Sequence, residues 1–213
     1  YARASYGRYG TSQVEIAAGA ADDNGFSVRL STLFQHRDDW IDNVATTANN
    51  DLGGYDDIAA RVQLQYENGP FTGRVIGQVR VYDGSAIIFR ANTQVPGSNE
   101  LVGLGGAGTE FKRDEVYQDG LNFQKLNTYN AGLNLEYDFG PVTLYSITSY
   151  WNGNFRSRGD IDGGFGAVFL PVSGPGLIPF QAQSQDNVPS LDQFTQEVRI
   201  ASNNTTGLGY QFG

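Results

Sequence analysis

The residues with binding chemistry in this sequence cluster around the long stretches that separate its regular segments. Phe89, Arg90, Phe123, Trp151, Phe155, Arg156 and Arg158 mix aromatic rings with guanidinium groups. Rings offer stacking faces and guanidinium groups offer cationic donors, a pairing favoured at binding surfaces. Phe89, Arg90, Phe123 and Arg158 are therefore the candidate ligand contacts. Packing of the loops against one another is the competing role for the same side chains. Catalytic groups are sparse. His36 is the single histidine, so an acid–base relay would have to use it with Asp38 or Asp39. Its place among charges at a strand's end reads instead as a rim histidine. One histidine and no cysteine leave no two-histidine or thiolate metal site within the chain. Asp160-Ile161-Asp162-Gly163-Gly164 opens like a calcium loop, but Pro171 stands where the bidentate glutamate belongs. Gly103-Leu104-Gly105-Gly106-Ala107-Gly108 matches the dinucleotide pattern without a strand before it or a helix after it, and reads as a loop. No catalytic residue, no metal and no cofactor is expected, and the sequence does not argue for an enzyme.

Composition narrows the classes. The chain has 213 residues with 28 glycines, and aromatic side chains make up 13% of it. Such aromatic content is too high for a disordered chain. The mix of Gly, Tyr, Phe, Asn, Thr and Ser is that of a β-rich protein with many turns. Charged residues are 17%, against about 25% in an average protein. No apolar run approaches the ~18 residues of a transmembrane helix. Fourteen basic residues against 23 acidic ones give a net charge of -9, with no basic stripe to hold nucleic acid. The sequence starts at Tyr1 without methionine or signal peptide, and Tyr1 is read as an internal position.

The segments that must carry these residues alternate with period two. Phe26, Val28, Leu30, Thr32 and Phe34 alternate with Ser27, Arg29, Ser31, Leu33 and Gln35. Residues 58–67 and 129–139 alternate as cleanly, 14–20 and 194–200 less so, and 71–82 with one slip at Ile76. Residues 142–151 are mixed. Seven strands and the start of an eighth near Leu208 are expected, and no helix. Tight turns are expected at Asp22-Asp23-Asn24-Gly25, Asn68-Gly69-Pro70, Gly140-Pro141 and Asn203-Asn204-Thr205-Thr206-Gly207. Long links near 43–54, 83–127 and 158–190 alternate with them. In an up-and-down sheet this places the four tight turns at one end and the long links at the other.

That asymmetry is typical of outer-membrane barrels. Two further patterns agree. Glu15, Arg29, Arg61, Glu67, Arg74, Arg80, Glu136, Asp138, Glu197 and Arg199 share the polar parity, while the opposite parity is mostly apolar. Aromatic residues also bracket apolar stretches, as Phe26 and Phe34 or Phe71 and Tyr82 do. A tilted strand crosses a ~25 Å apolar band in about 10 residues. The fold expected is all-β: an antiparallel up-and-down transmembrane β-barrel, here a partial barrel of about eight strands that does not close on itself. Two alternatives remain: a small complete outer-membrane barrel with a structural or adhesin role, and a soluble β-sandwich binding module.

Several segments resemble a known family. Ser5-Tyr6-Gly7-Arg8-Tyr9-Gly10-Thr11 looks like the segment that opens the barrel of TonB-dependent receptors. Phe89-Arg90-Ala91-Asn92, Pro96-Gly97-Ser98-Asn99 and Gln118-Asp119-Gly120-Leu121-Asn122-Phe123-Gln124 resemble loops of the large receptors of sphingomonads and caulobacters. Phe194-Thr195-Gln196-Glu197-Val198-Arg199-Ile200-Ala201-Ser202 is similar to a strand of the same group and is the most specific match. The resemblance implies that residues 1–213 are the N-terminal part of a receptor barrel in the Gram-negative outer membrane. It implies active import of a scarce small-molecule ligand such as a siderophore, vitamin or saccharide. The implied partners are outer-membrane lipids and the TonB energy-transducing complex, reached through a plug and TonB box that these residues do not include. No nucleic-acid partner is implied.

Overall fold

The computed structural model describes residues 1–45, 51–90, 112–116, 118–161, 163, 182–204 and 206–213. Eleven strands run in chain order: β1 (Ala2–Tyr6), β2 (Ser12–Ala21), β3 (Phe26–Arg37), β4 (Asp42–Asn43), β5 (Tyr55–Asn68), β6 (Phe71–Gly84), β7 (Glu115–Val116), β8 (Phe123–Asp138), β9 (Val142–Asp160), β10 (Gln183–Ser202) and β11 (Gln211–Phe212). Among the described residues there is no helix. Nine strands form one sheet in the order β1-β2-β3-β5-β6-β8-β9-β10-β11, and each neighbouring pair is antiparallel. The sheet is an open up-and-down meander. β2 and β11 share no ladder, so the expectation that the chain does not close on itself holds. β4 and β7 form a separate parallel pair between two of the long links.

The registers fix both ends of the sheet. The turns after β2, β5, β8 and β10 all lie at one end, and the links after β3, β6 and β9 at the other. One correction concerns the start of the chain. Ala-Arg-Ala-Ser-Tyr carries no alternation, yet it forms β1 by pairing Tyr6 with Ser12. Its turn over residues 7–11 is tight and lies at the long-link end, so the segregation of turn lengths is not complete. The turn closes through the Gly7 N–H to the Thr11 carbonyl at 2.7 Å. A second correction concerns length. β9 and β10 reach 19 and 20 residues, which shortens the third link to residues 161–182. In β10 the register shifts between Val188 and Leu191, around Pro189. Proline cannot donate to a ladder and is accommodated at bulges and sheet edges.

Direct pairing across the ladders carries each face from strand to strand. Val28 pairs with Leu64, Leu64 with Val75, and Val75 with Leu133, while Leu135 pairs with Ser146 and Ser146 with Val198. Leu30 and Val62 pair on the same side. Arg29 pairs with Gln63, Arg61 with Gln78, Arg74 with Asn134, Glu136 with Tyr145, and Tyr145 with Arg199 on the other. Arg80 and Glu197 share that parity. The expected division of faces is therefore present in the sheet. Ile76, the slip in the pattern, sits on the polar face opposite Gln63 and Gly132.

The apolar face is uncovered. Leu64 is 50% exposed and Val198 56%. At the turn end it carries a row of touching rings, with Phe26 and Tyr66 at 4.4 Å, Tyr66 and Phe71 at 6.4 Å, and Tyr137 and Phe139 at 4.6 Å. The polar face is laced by its own side chains. Arg61 donates twice to Gln78, and Arg80 holds Asp57 through two bonds of 2.9 and 2.7 Å. The buried apolar cluster lies away from the sheet's middle. Ile41, Leu52 and Val116, with Trp40 and Ile88 against them, form it within the links beyond β3 and β6.

Candidate functional site

At the long-link end, aromatic rings and arginines form a ladder of two stacked groups. The Arg8 guanidinium lies 4.5 Å from the Tyr9 ring centre, and Tyr9 stacks on Trp40 at 5.0 Å. Arg37 donates from Nε to the Gly53 carbonyl at 2.7 Å and covers the Tyr55 ring at 4.9 Å. Tyr55 stacks on Tyr82 at 6.1 Å. Arg37, Tyr55 and Tyr82 share the polar parity because Arg37 pairs with Tyr55 and Asp57 with Tyr82. Backbone bonds tie the links that carry the ladder. Asp38 N–H donates to the Tyr9 carbonyl at 3.0 Å, and Gly53 N–H to Ser85 Oγ at 2.8 Å. Ring faces with flanking guanidinium groups can sandwich a flat or anionic group.

Beside the ladder a cleft of about 750 Å³ opens among Arg37, Tyr55, Asp56, Asp83, Phe123 and Lys125. Asp38, Asp39 and Asp51 also line it, so five carboxylates face Arg37 and Lys125. His36 sits on this rim with Nδ1 2.7 Å from Asp56 and Nε2 3.0 Å from Asp38. Both ring nitrogens thus meet carboxylates, as befits a rim histidine. Among the described residues no cluster of three or more acidic or histidine side chains is arranged to hold a metal ion.

The four expected contact residues divide into two groups. Phe89 and Arg90 lie in the link after β6, where Phe89 is 42% exposed and Arg90 Nη2 donates to the Arg113 carbonyl. Partial burial holds the Arg90 guanidinium below its ordinary pKa, with Asp114 opposing that shift and Arg113 adding to it. Phe123 and Arg158 face each other across β8 and β9, on the apolar parity. Arg156 covers the Phe123 ring at 5.2 Å, and Arg158 donates to Gln183 at 2.7 Å. Phe123 borders the cleft, and Arg158 is not among the residues that line it. Trp151 and Phe155 have the polar parity of β9. The glycine-rich segment 103–108, Phe165, Phe169, Phe180, and Asp162 and Gly164 of the calcium-like turn lie outside the described residues. Asp160 of that turn is fully buried, and its Oδ2 accepts the Gly120 N–H at 3.1 Å, a structural tie between links.

Sequence reasoning missed Tyr9, Trp40, Arg37, Tyr55 and Tyr82 as a group. The signal was available: continuing the polar parity to the strand ends brings Arg37, Tyr55 and Tyr82 to one face. It also missed Gln118. This side chain is fully buried, and its Nε2 donates to the Phe89 carbonyl at 2.9 Å. Gln118 N–H donates to Asn43 Oδ1 at 3.0 Å, while Asn43 Nδ2 returns a bond to the Gln118 carbonyl at 2.9 Å. Gln118→Ala removes the partner of the part-buried Phe89 carbonyl and should destabilise the local packing of the links by about 1 kcal/mol. Limited proteolysis should then cut the links near residues 43 and 89 faster while β5 and β6 stay protected. Unchanged cleavage would show that Gln118 does not hold them.

The comparisons come to bear on this geometry. No family model and no curated protein matches the sequence. Two solved structures share the fold. The ferric yersiniabactin uptake receptor FyuA from Yersinia pestis superimposes with a TM-score of 0.64 at 14% identity over 94% of this chain. The siderophore receptor PiuA from Acinetobacter baumannii does so with a TM-score of 0.66 at 14% identity over 96%. The chain spans 27% of the length of each. At this identity the likeness is one of fold: the nine-stranded meander matches part of a receptor β-barrel.

Proposed function

We propose that residues 1–213 are part of the barrel domain of a TonB-dependent outer-membrane receptor that imports a scarce small-molecule ligand. The observation that carries this reading is the open antiparallel meander with one uncovered, mostly apolar face, superimposed on two receptors named for siderophores. The apolar face then meets lipid, the polar face lines the lumen, and the long links face outward from the cell. Residues 1–213 represent early barrel strands of the type found in sphingomonad and caulobacter receptors. TonB acts through a plug region outside these residues. Siderophores are the ligand class to test first.

In this reading the ligand meets the ladder of Tyr9, Trp40, Arg37, Tyr55 and Tyr82, with Phe89, Arg90 and Phe123 bordering its approach. Arg158 stands at the same rim, opposite Phe123. The test is uptake by a strain deleted for the full-length gene and complemented with variants. Arg90→Ala with Phe123→Ala should weaken ligand binding roughly tenfold or more, the loss of one charged donor and one stacking face. Barrel assembly should be unchanged. Wild-type affinity in an assembled double variant would assign both side chains to loop packing. Uptake that persists without TonB would overturn the importer reading itself.

A further inference from the structure

Charge on the apolar face lies toward the long-link end. Through the middle of β8, β9 and β10 that face shows Leu133, Leu135, Leu144, Tyr150, Phe194 and Val198 and no ionised group. Tyr129 and Tyr150 end the apolar stretch toward the long links. Beyond them Asn127 bonds to Asn154 at 3.0 Å across the ladder. One rung further, Lys125 pairs with Arg156, and the next rung pairs Phe123 with Arg158. Neighbouring strands are about 4.8 Å apart and alternate residues about 7 Å. Lys125 turns toward Asp83 on β6, which leaves Arg156 and Arg158, at alternate positions of β9 about 7 Å apart beside Phe123, within the reach of a single phosphate group.

The same level on β3, β5 and β6 has the opposite sign. His36, Asp56 and Asp83 lie there, with Asp38 bonded to His36. Asp83 takes Lys125 at 2.7 Å and closes the acidic side. Asp192 lies on the same face opposite Asn152, nearer the turn end than Arg156, and is held by Tyr150 and Asn152. Among the described residues no carboxylate lies within ion-pair distance of Arg156 or Arg158. Arg156 has one face on the Phe123 ring, which leaves its N–H edge available. Arg158 uses only Nε, toward Gln183. A planar donor edge on a fixed ring suits the oxygens of a phosphate.

We propose that Arg156 and Arg158, beside the Phe123 ring, form a docking site for the phosphate of a membrane-lipid headgroup on the outer surface of the barrel. The placement selects a lipid as occupant. The cations share a face with the apolar stretch and stand just past its aromatic edge, where a headgroup lies when its acyl chains cover Tyr129, Tyr150 and Leu133. A soluble anion has no use for that apolar neighbour. The proposal rests on the membrane placement given above and adds an occupant to its outer surface.

The full-length protein is reconstituted in phosphatidylcholine nanodiscs doped with bisphosphorylated lipid A, and lipid A retention is compared with that of its dephosphorylated form. A cation at a membrane surface is worth about fivefold in binding anionic lipid, so Arg156→Gln with Arg158→Gln should reduce retention roughly 30-fold. Arg156→Lys with Arg158→Lys should keep most of it. The dephosphorylated lipid should show little enrichment. Equal retention by the inserted wild type and glutamine variant would overturn the proposal, as would equal enrichment of the two lipids. Displacement of lipid A by inorganic phosphate alone would reject lipid as the occupant. Wild type that fails to enter nanodiscs would overturn the membrane reading and this site with it, an outcome distinct from the other three.

Discussion

Leu64→Arg in the full-length protein should fail to assemble in the membrane, while Gln63→Arg assembles close to normally. The two positions are adjacent in β5 and point to opposite faces. Leu64 is flanked across the ladders by Val28 and Val75, and continues to Leu133 on the next strand. No polar side chain on this rung is placed to take a guanidinium. A cation on the lipid side of a barrel costs about 2–4 kcal/mol at the bilayer midplane. Gln63 lies between Arg29 and Ile76 on the face that already carries Arg61 and Arg74. A new arginine there adds a like charge opposite Arg29, a cost below about 1 kcal/mol in a polar, solvated setting. Heat-modifiable gel migration of outer-membrane fractions reads the outcome directly. Equal assembly of both variants would reverse or abolish the assignment of faces. A soluble sandwich predicts a different pattern, since one of its faces is packed against a second sheet and the other meets water.

How far the fold could be read in advance depended on what each segment uses to define itself. β3, β5, β6 and β8 alternate side chain by side chain, and one buried or lipid-covered face is enough to fix their register. β1 has no such pattern. It exists because Tyr6 turns back onto Ser12 through a tight turn in which Tyr9 itself takes a φ of 60°. β9 looks mixed because Tyr145, Ile147, Trp151 and Phe155 place large apolar groups on the polar face. β10 hides half its length behind Pro189, where the parity inverts. The residues proposed to meet a ligand were legible as types but not as a group. Arg90 and Phe123 announce stacking chemistry, yet whether a ring at a strand's end faces inward follows only from counting along a continuous ladder. The ladder of Tyr9, Trp40, Arg37, Tyr55 and Tyr82 joins three separate connections, and nothing local in the chain links them. Gln118 was invisible for the same reason, since its partners lie 75 and 29 residues away.

Gly25→Ala should cost several-fold more stability than Gly69→Ala, although both glycines sit in tight turns at the same end with positive φ. Gly25 has φ 90° and Gly69 φ 56°. Alanine pays about 1–2 kcal/mol for the left-handed region at either position. The surroundings then separate them. A Cβ on Gly69 meets nothing within 4 Å, so its substitution ends with that penalty. A Cβ on Gly25 would stand 1.9 Å from the Glu67 carbonyl oxygen and 3.0 Å from its carbon. Both contacts are backbone, so no rotamer change relieves them. The turn must withdraw from the end of β5, which breaks the Glu67 N–H bond to the Gly25 carbonyl, now 2.9 Å. It also disturbs the Asp22 carboxylate that accepts the Phe26 N–H at 2.8 Å. Losing a backbone bond adds about 1 kcal/mol, and the displacement strains the Phe26–Tyr66 contact at the start of the aromatic row. The expected total is about 3 kcal/mol for Gly25→Ala against about 1 kcal/mol for Gly69→Ala. Urea unfolding of the detergent-solubilised full-length protein, followed by heat-modifiable migration, measures the difference. Equal midpoints would mean that the turn after β2 does not press on β5 as described, and that the β3–β5 ladder is held from its middle rather than from its turn end.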